Sequence, residues 1–464
     1  MSKKQRGLRI GHYQITPLGI GVLVVILLLI LAVAAYFILK YFGILPFGDA
    51  TRPVTNSNVN VPVIVNTPEP TQAPIPTDDS TAPEPTPTET PVPTPTPAPT
   101  LRSARIRTIG EIIADNDILK SAYIQQQDDA GNDTSTFDFG PIFETAGSAI
   151  GNADYTIAVV DGSMGGKGVN GYRGKDKEYN TPPHIMLALR ECGVDMMALA
   201  TDHALDELFD GLTKTIGNCG QAELDYIGAA ASQEEHDTPK IVPINGINFA
   251  FLNYSESFNG KEKNAAKDAL TFGVSYMANA NYAADVEAAR TAGADIVVAY
   301  VSWGKQGSAS MTKSQVSIAK QLVTAGVDVI IGYNSRVLQD QKDMYWLEAD
   351  KEDGTKQRTL CLVSLGSFLT ASQEATEKAG MIFEFSVSET EPGKFEVANP
   401  TYIPTYVWRT QRTEDVYDYR VLAVGQWLAN APDGMAEKEY ETLKTVWSEM
   451  QSKLGSTVLY VAAD

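Results

Sequence analysis

Two apolar runs, each closed by a polar loop that contains glycine, constrain the fold of this chain most strongly. Residues 294–306 read Ala-Asp-Ile-Val-Val-Ala-Tyr-Val-Ser-Trp-Gly-Lys-Gln, and residues 325–337 read Ala-Gly-Val-Asp-Val-Ile-Ile-Gly-Tyr-Asn-Ser-Arg-Val. Short continuous apolar runs bounded by turn residues are typical of buried strands. In open α/β sheets, the loops that follow such strands present the binding and catalytic groups. We therefore expect the polar side chains after these strands to form a functional edge.

The same alternation of strand and helix patterns continues through the chain from Leu101. The predicted buried strands are Ile157–Val160, Met196–Ala200, Phe249–Tyr254, Ile296–Val301, Val329–Gly332 and Leu360–Leu365. Helix patterns lie between them at His184–Cys192, Ala283–Ala292 and Ser314–Ala325, closed by the C-cap glycines Gly193, Gly293 and Gly326. This alternation predicts an α/β domain. Amphipathic patterns at Tyr419–Ala429 and Glu437–Leu454 predict a helical cap over about residues 400–464.

Residues 18–40 are expected to form a transmembrane helix. From Leu18 to Leu39 the chain carries no charge, and a helix of this length covers the roughly 30 Å hydrocarbon core of a bilayer. Lys3, Lys4, Arg6 and Arg9 precede it within the tail of residues 1–17, which the positive-inside rule assigns to the cytoplasm. The alternative is a cleaved signal peptide, because Ala32-Val33-Ala34 has the small-x-small form of a cleavage site.

Residues 41–100 are expected to be a disordered linker outside the membrane. The segment is rich in Pro and Thr and has few large apolar side chains, so it cannot bury a core. Proline-rich chains sample extended polyproline conformations of about 3.1 Å per residue. The segment can therefore be a stalk that lifts the domain 101–464 away from the membrane, or a flexible linker with no spacing role.

Charge and cysteine content exclude several classes of function. The formal net charge is −20, which makes nucleic acid an improbable partner. The three cysteines, Cys192, Cys219 and Cys361, are too few and too scattered for a disulfide framework or a zinc site. Cys192 and Cys361 lie in apolar runs and are expected to be core thiols.

The polar loops, read in order, resemble those of the CapA/PgsA family of capsule and poly-γ-glutamate synthesis proteins over about residues 105–370. The matching segments are Phe137-Asp-Phe-Gly-Pro-Ile-Phe-Glu, Ala153-Asp-Tyr-Thr-Ile-Ala, Ala188-Leu-Arg-Glu-Cys-Gly-Val-Asp with Ala200-Thr-Asp-His-Ala-Leu-Asp, Gly246-Ile-Asn-Phe-Ala-Phe-Leu-Asn-Tyr-Ser, Ser302-Trp-Gly-Lys-Gln and Ser364-Leu-Gly-Ser-Phe. The resemblance implies a metallo-dependent phosphatase-like sandwich. It also implies a role in making an envelope polymer.

Most of the metal-ligating residues of that family are replaced in this sequence. The Gly-Asp motif is Gly110-Glu111, the Asn-Leu-Glu position ends in Asp161, and Asn-Asn-His is Thr201-Asp202-His203. The His-Trp-Gly-x-Glu motif begins Ser302-Trp303, and Gly-His-His-Pro-His ends in Asn334-Ser335-Arg336. His203 is the one imidazole left in these motifs.

The resemblance implies a set of candidate site residues. Glu111, Asp161, Asp202 and His203 can hold at most a single divalent cation, Mg²⁺ or Mn²⁺, with His203 and Asp161 as the candidate catalytic pair. Asp202, Ser302, Trp303, Asn334 and Arg336 are candidate ligand-binding residues. Trp303 can instead be a packing residue, and His203 a hydrogen-bonded core imidazole. Asp206 keeps the family's position after His203 and can instead cap or brace a helix start. Arg336 places a permanent positive charge where a metal ion would lie, or binds a carboxylate or phosphate.

We therefore expect a membrane-anchored protein with its main domain outside the cell. Its expected role is accessory to the synthesis, export or retention of a capsule or poly-γ-glutamate-type polymer, with a degenerate site and no resident cofactor. The expected partners are an anionic or saccharide polymer and the membrane proteins that make it. Two alternatives remain: an active metal-dependent phosphoesterase or polymer hydrolase, and a non-catalytic surface receptor.

Overall fold

A computed structural model describes residues 8–10, 13–15, 101–168, 171–175, 178–341, 345–351, 354–454 and 459–460 of the chain. The chain divides into two compact units, residues 1–93 and 94–464. In the first unit the described part is an antiparallel hairpin of strands Leu8–Ile10 and Tyr13–Ile15.

The expected transmembrane helix 18–40 and linker 41–100 lie outside the described residues. Among the residues that are described, no helix is both long enough and apolar enough to cross a membrane.

The larger sheet of the second unit is mixed and has nine strands in the described part of the chain. Its main path runs in the order Asp225–Ile227, Met196–Ala198, Tyr155–Val160, Ser103–Ile112, Ala379–Glu391, Lys394–Thr413 and Val416–Ala423. Two short strands pair beside this path, Ser367–Leu369 with Ser103–Ile112 and Leu459–Tyr460 with Lys394–Thr413. The first four strands are parallel, and the pairs that follow are antiparallel.

The smaller sheet has six described strands, in the order Ile241–Ile244, Ile247–Ser255, Ile296–Ser302, Val329–Tyr333, Lys356–Leu362 and Trp346–Asp350. Its four central strands are parallel, and each edge strand pairs antiparallel with its neighbour. Parallel strands need crossover connections, which the helices between them supply.

The α-helices of this unit span Asn116–Ala122, Gly140–Phe143, Gly147–Gly151, His184–Glu191, Leu208–Gln221, Gln233–Asp237, Tyr282–Thr291, Lys313–Ala325 and Glu437–Leu454. Short 3-10 turns lie at Glu144–Ala146, Lys261–Lys263, Met277–Asn279 and Val424–Trp427, and a π-helical turn lies at Ala269–Gly273. Two small hairpins pair Tyr123–Ile124 with Thr136–Phe137 and Arg173–Lys175 with Glu178–Asn180.

Three hydrophobic cores arrange these elements in four layers. The core between the two sheets contains Phe249 and Tyr300 from the smaller sheet and Phe383 from the larger. A second core packs helices such as His184–Glu191 on the outer face of the larger sheet. A third packs Tyr282–Thr291 and Lys313–Ala325 on the outer face of the smaller sheet. The described part of the second unit is thus an α/β sandwich of two sheets with helices outside.

The structure confirms the predicted strands and the helices between them. Each of the six predicted apolar runs lies in or overlaps a strand, and the three helix patterns are helices. Gly193, Gly293 and Gly326 have φ of 90°, 95° and 96°, the left-handed region that favours glycine at a helix end. Cys192, Cys219 and Cys361 are free thiols, and Cys219 and Cys361 are buried.

The helix predicted at Tyr419–Ala429 is wrong. Residues Val416–Ala423 form a strand, followed by a 3-10 turn. Tyr419 and Val421 point into the outer core, whereas Leu422 points into the core between the sheets. The strand alternates up to Val421, with Asp418 and the exposed Arg420 between residues that face the outer core. Residues 421–423 are all buried and continue into the mostly apolar turn Val424–Trp427, so the end of the segment imitates a helical pattern. The expected helical cap is therefore reduced to helix Glu437–Leu454, which buries apolar side chains in the inter-sheet core.

Helix His184–Glu191 allows a matched test of this packing. Leu189 is completely buried and Leu187 is 49% exposed, on the same helix. We predict that Leu189→Ala lowers the free energy of unfolding by about 2–5 kcal/mol, because it opens a cavity. Leu187→Ala should change it by less than about 0.5 kcal/mol. Urea unfolding of the two variants measures the difference, and equal losses would contradict this placement of the helix.

Candidate functional site

Loops that follow strands of the two sheets meet at one edge of the sandwich. Glu111 and Asp161 lie at the ends of neighbouring strands of the larger sheet, and Asn334 and Arg336 directly follow a strand of the smaller sheet. The backbone N–H of Asn334 donates to Glu111 Oε2 at 3.1 Å. The polar side chains that follow these strands therefore lie together at one edge, and both sheets contribute to it.

An ion pair between Asp161 and Arg336 joins the two sheets at this edge. Arg336 Nη2 donates to Asp161 Oδ2 at 2.8 Å, and the backbone N–H of His203 donates to Asp161 Oδ1 at 3.1 Å. The Asp161 side chain is fully buried, and the Arg336 side chain is 16% exposed. Burial raises the pKa of Asp161, but the positive charges of His203 and Arg336 outweigh this effect and hold the pKa below its ordinary value. Asp161 is therefore a carboxylate whose two oxygens both accept hydrogen bonds from protein donors.

The loop that carries Arg336 has an uncommon backbone. Asn334 and Arg336 have φ of 81° and 60°, in the left-handed region. Non-glycine residues hold such conformations at a cost of about 1–3 kcal/mol, and only where their surroundings support them. Here Ser335 Oγ lies 2.7 Å from Ser364 Oγ, and Ser367 Oγ donates to the Arg336 carbonyl at 2.8 Å. These bonds hold the loop so that the guanidinium points at Asp161, with the ring centroid of Tyr179 5.6 Å from its central carbon.

Glu111 is buried beside this ion pair. Burial, the negative charge of Asp161 and a hydrogen bond to that carboxylate raise the pKa of Glu111 to about 8, while the charge of Arg336 opposes them. Glu111 is therefore mostly protonated at pH 7, because two buried carboxylates in contact do not both ionise readily.

His203 lies among three carboxylates. Its Nδ1 is 2.8 Å from Asp206 Oδ2, and its Nε2 is 3.9 Å from Asp161 Oδ2 and 3.9 Å from Asp202 Oδ2. Burial lowers the pKa of His203, but the charges of these carboxylates and the bond to Asp206 outweigh it and raise the pKa to about 9. The ring is therefore an imidazolium at pH 7. Its face-to-edge contact with Tyr179, at 4.6 Å between centroids, completes its packing.

The carboxylate of Asp202 also lies at this edge and accepts hydrogen bonds from a further loop. Its Oδ1 accepts from Ser257 Oγ at 2.5 Å and from the backbone N–H of Asn259 at 2.9 Å. Ser257 and Asn259 follow the buried strand Ile247–Ser255, so they are a third polar loop at the same edge.

Ser302 and Trp303 are placed differently from the charged residues. Trp303 is fully buried in the core on the helix side of the smaller sheet, and its Nε1 donates to the Val363 carbonyl at 3.0 Å. Ser302 is 1% exposed, and its backbone carbonyl accepts from Glu256 N–H. The Trp303 side chain thus has the geometry of a packing residue under the loop.

The donor set at this edge does not fit a divalent cation. Metal ligands must be deprotonated and must offer lone pairs. Both oxygens of Asp161 already accept hydrogen bonds, from Arg336 and from the backbone N–H of His203, and the guanidinium beside them is a permanent positive charge. Across the part of the chain that the structure describes, no group of three or more His, Cys, Asp or Glu side chains is arranged to hold a metal ion.

Sequence reasoning missed several residues of this edge. Asp206 was considered as a helix cap, but it bonds to both His203 and the backbone N–H of Tyr179. Tyr179 lies on a short hairpin strand, which no periodic pattern marks. Ser257 and Asn259 were detectable, because they are polar residues directly after a predicted buried strand.

The family model described as bacterial capsule synthesis protein PGA_cap matches residues 105–372, more than half of the chain. The chain belongs to this family. The matched range agrees with the resemblance expected over about residues 105–370, and it contains every residue of the edge described above.

Named relatives agree with the family assignment. Capsule biosynthesis protein CapA of Bacillus anthracis is 23% identical over 200 residues, which cover 43% of this chain and 49% of that protein. The chain thus matches about half the length of this relative. PGA biosynthesis protein CapA of Bacillus subtilis is 24% identical over 287 residues, which cover 61% of this chain and 68% of that protein.

One solved structure has a partial likeness to the chain. Calcineurin-like phosphoesterase YfkN of Bacillus subtilis has a TM-score of 0.40 and 14% identity, covering 76% of this chain and 99% of that chain.

The ion pair can be tested by removing one partner. Arg336→Met leaves the carboxylate of Asp161 buried without its guanidinium, and we predict a loss of about 3–5 kcal/mol in the free energy of unfolding. The double variant Asp161→Asn, Arg336→Met should recover part of this loss, because neither charge is then left unpaired. Lys394→Met is the matched control, since Lys394 and Glu391 form a pair in which both side chains are about two-thirds exposed. A similar loss in Arg336→Met and Lys394→Met, measured by urea unfolding, would contradict the account.

The charge state of His203 predicts a dependence of stability on pH. Its pKa of about 9 in the folded protein is above the value of 6.5 for an ordinary imidazole. The folded state therefore binds this proton more tightly, so the stabilisation is complete below about pH 6.5 and is lost as pH rises through about 9. We predict that the free energy of unfolding falls by about 1–3 kcal/mol over this interval. His203→Gln should flatten this fall and His236→Gln, at an exposed position, should keep it; an unchanged slope in His203→Gln would refute the assignment.

Proposed function

We propose that this protein is a non-catalytic member of its family that assists the synthesis, export or retention of a capsule or poly-γ-glutamate-type envelope polymer. The family assignment supports the link to an envelope polymer. The observation that carries the non-catalytic part of the proposal is the contact of 2.8 Å between Arg336 Nη2 and Asp161 Oδ2.

The charges around Asp161 support the non-catalytic part of the proposal. A hydrolase of the metal-dependent type uses carboxylate and imidazole ligands to hold a cation that lowers the pKa of a bound water. In this chain a guanidinium supplies the positive charge beside Asp161, and its pKa is raised further because Asp161 and Glu111 outweigh the effect of burial. A guanidinium offers hydrogen-bond donors but cannot generate hydroxide. The guanidinium of Arg336 therefore balances the charge of Asp161 and holds the loops together. It cannot activate a water molecule as a metal ion would.

The sequence supports an anchored arrangement for this role. We propose that residues 18–40 span the membrane, that residues 1–17 are cytoplasmic, and that residues 41–100 connect the span to the domain outside. The proposed partners are the polymer and the membrane proteins that make it. With only a minor fraction of the Arg336 side chain exposed, surfaces other than this edge would make the main contacts with a polymer.

The proposal can be tested by complementation with a matched pair of variants. In the native host with the gene deleted, we expect less polymer at the cell surface, and expect restoration by wild type, His203→Gln and His236→Gln alike. The purified full-length chain, dialysed against Mn²⁺, should contain no stoichiometric metal by elemental analysis and should not hydrolyse bis-p-nitrophenyl phosphate. Stoichiometric Mn²⁺ and hydrolysis, both lost in a folded His203→Gln variant, would overturn the non-catalytic proposal in favour of a metal-dependent phosphoesterase. Unchanged surface polymer after deletion would overturn the polymer role.

A further inference from the structure

A cavity of about 500 Å³ lies away from the Asp161–Arg336 pair. It opens between the edge strand Asp225–Ile227 of the larger sheet and strand Ile247–Ser255 of the smaller sheet, under helix Tyr282–Thr291. None of the residues at the charged edge lines it. Its volume is in the range of small-molecule sites, and it lies where parallel strands of an α/β protein end.

An uncommon backbone element forms part of its wall. The π-helical turn Ala269–Gly273 contributes Leu270 and Thr271 to the lining. Single π-helical turns are rare and frequently lie at functional sites. Gly228 has a φ of 82°, in the left-handed region, and lies close to Asn253 on strand Ile247–Ser255. A Cβ at position 228 would be 2.2 Å from Asn253 Oδ1, so only glycine allows this approach.

Two tyrosine–carboxylate pairs determine the hydrogen-bonding character of the cavity. The hydroxyl of Tyr254 donates to Asp285 Oδ2 at 2.8 Å, and that of Tyr226 donates to Glu235 Oε1. Each phenol donates its one hydroxyl hydrogen in the bond to the carboxylate. The oxygen atoms of each pair can therefore only accept further hydrogen bonds from a ligand. Burial, followed by the charge of the neighbouring Asp285, raises the pKa of Tyr254 well above its ordinary value, so this phenol keeps its proton. The walls at these pairs therefore favour a ligand that donates hydrogen bonds.

The charges around the cavity disfavour an anion. Three carboxylates line it, those of Glu235, Asp237 and Asp285, against a single lysine. That lysine, Lys240, is bonded to Asp225 through its Nζ. A ligand that carries only acceptors and a negative charge, such as a carboxylate polymer, would meet like charge from these three side chains.

Aromatic rings supply the apolar part of the lining. Tyr226, Tyr254 and Tyr276 all contribute, and two of them are held by edge-to-face contacts, Tyr254 with Tyr282 at 5.0 Å and Tyr276 with Phe258 at 5.5 Å. Rigid rings of this kind present a flat apolar surface beside polar groups. A sugar ring has hydroxyl groups, which can donate to the carboxylates, and apolar C–H faces, which can pack against the tyrosine rings.

We infer that this cavity binds an uncharged saccharide of one or two rings, with hydroxyl groups donating to Asp285 and Glu235 and with C–H faces against the tyrosines. This inference goes beyond the proposed function and does not depend on whether the charged edge is catalytic.

Isothermal titration calorimetry on the full-length chain in lipid nanodiscs tests the inference. The probes are methyl glucoside, N-acetylglucosamine and cellobiose, with glucuronate and short γ-glutamate oligomers as anionic comparisons. We expect saturable one-to-one binding of at least one neutral sugar and none of the anions. Asp285→Asn keeps an acceptor for Tyr254 but removes the charge, and should weaken binding by about tenfold or more.

Glu235→Gln is the second variant and should weaken binding to a similar degree, so the test survives if one variant fails to fold. Asp210→Asn is the matched control, since the Asp210 side chain is 79% exposed on another helix, and it should leave the affinity unchanged. The inference is overturned if no neutral sugar binds, or if the folded Asp285→Asn and Glu235→Gln variants bind as wild type does. It is also overturned if the anions bind and lose affinity in Lys240→Gln.

Discussion

The fold of the functional edge depends on one buried charge, the carboxylate of Asp161. Removing such an ion from water costs several kcal/mol, and the cost must be met by partners that reach it. Arg336 reaches it from the smaller sheet and the His203 backbone from the larger one. These partners come from loops that follow strands of different sheets. The bonds that compensate the charge of Asp161 therefore fix the positions of the two sheets relative to each other at this edge.

The surrounding groups adjust to that charge. Glu111 takes up a proton beside Asp161, whereas His203 keeps one because Asp161, Asp202 and Asp206 surround it. The result is a network of ion pairs and hydrogen bonds centred on Asp161, in which Nε of Arg336 is buried without a hydrogen-bond partner among the described residues. The left-handed backbone at Asn334 and Arg336 fits this account, since a strained loop persists where strong contacts hold it.

Local patterns in the sequence predicted most of the strands and helices that surround the charged edge. The family resemblance supplied Glu111, Asp161, His203 and Arg336 as site residues, and apolar runs with C-cap glycines located the strands and helices between them. Neither the resemblance nor the patterns could identify the partners, because Glu111 and Asn334 lie 223 residues apart and no local rule pairs them. Trp303 stands directly after a strand, yet its ring turns into the core, because side-chain direction after a strand depends on tertiary packing. The strand Val416–Ala423 was missed because its alternation ends at Val421 and the buried residues 421–423 continue into a mostly apolar 3-10 turn, which gives the end of the segment a helix-like pattern.

The most direct test of the central claim is anomalous diffraction at the manganese edge from crystals of the protein grown in Mn²⁺. We predict no anomalous peak among Glu111, Asp161, Asp202 and His203, and a guanidinium of Arg336 within hydrogen-bonding distance of Asp161. A peak coordinated by Asp161 and His203, with Arg336 turned away, would contradict that claim.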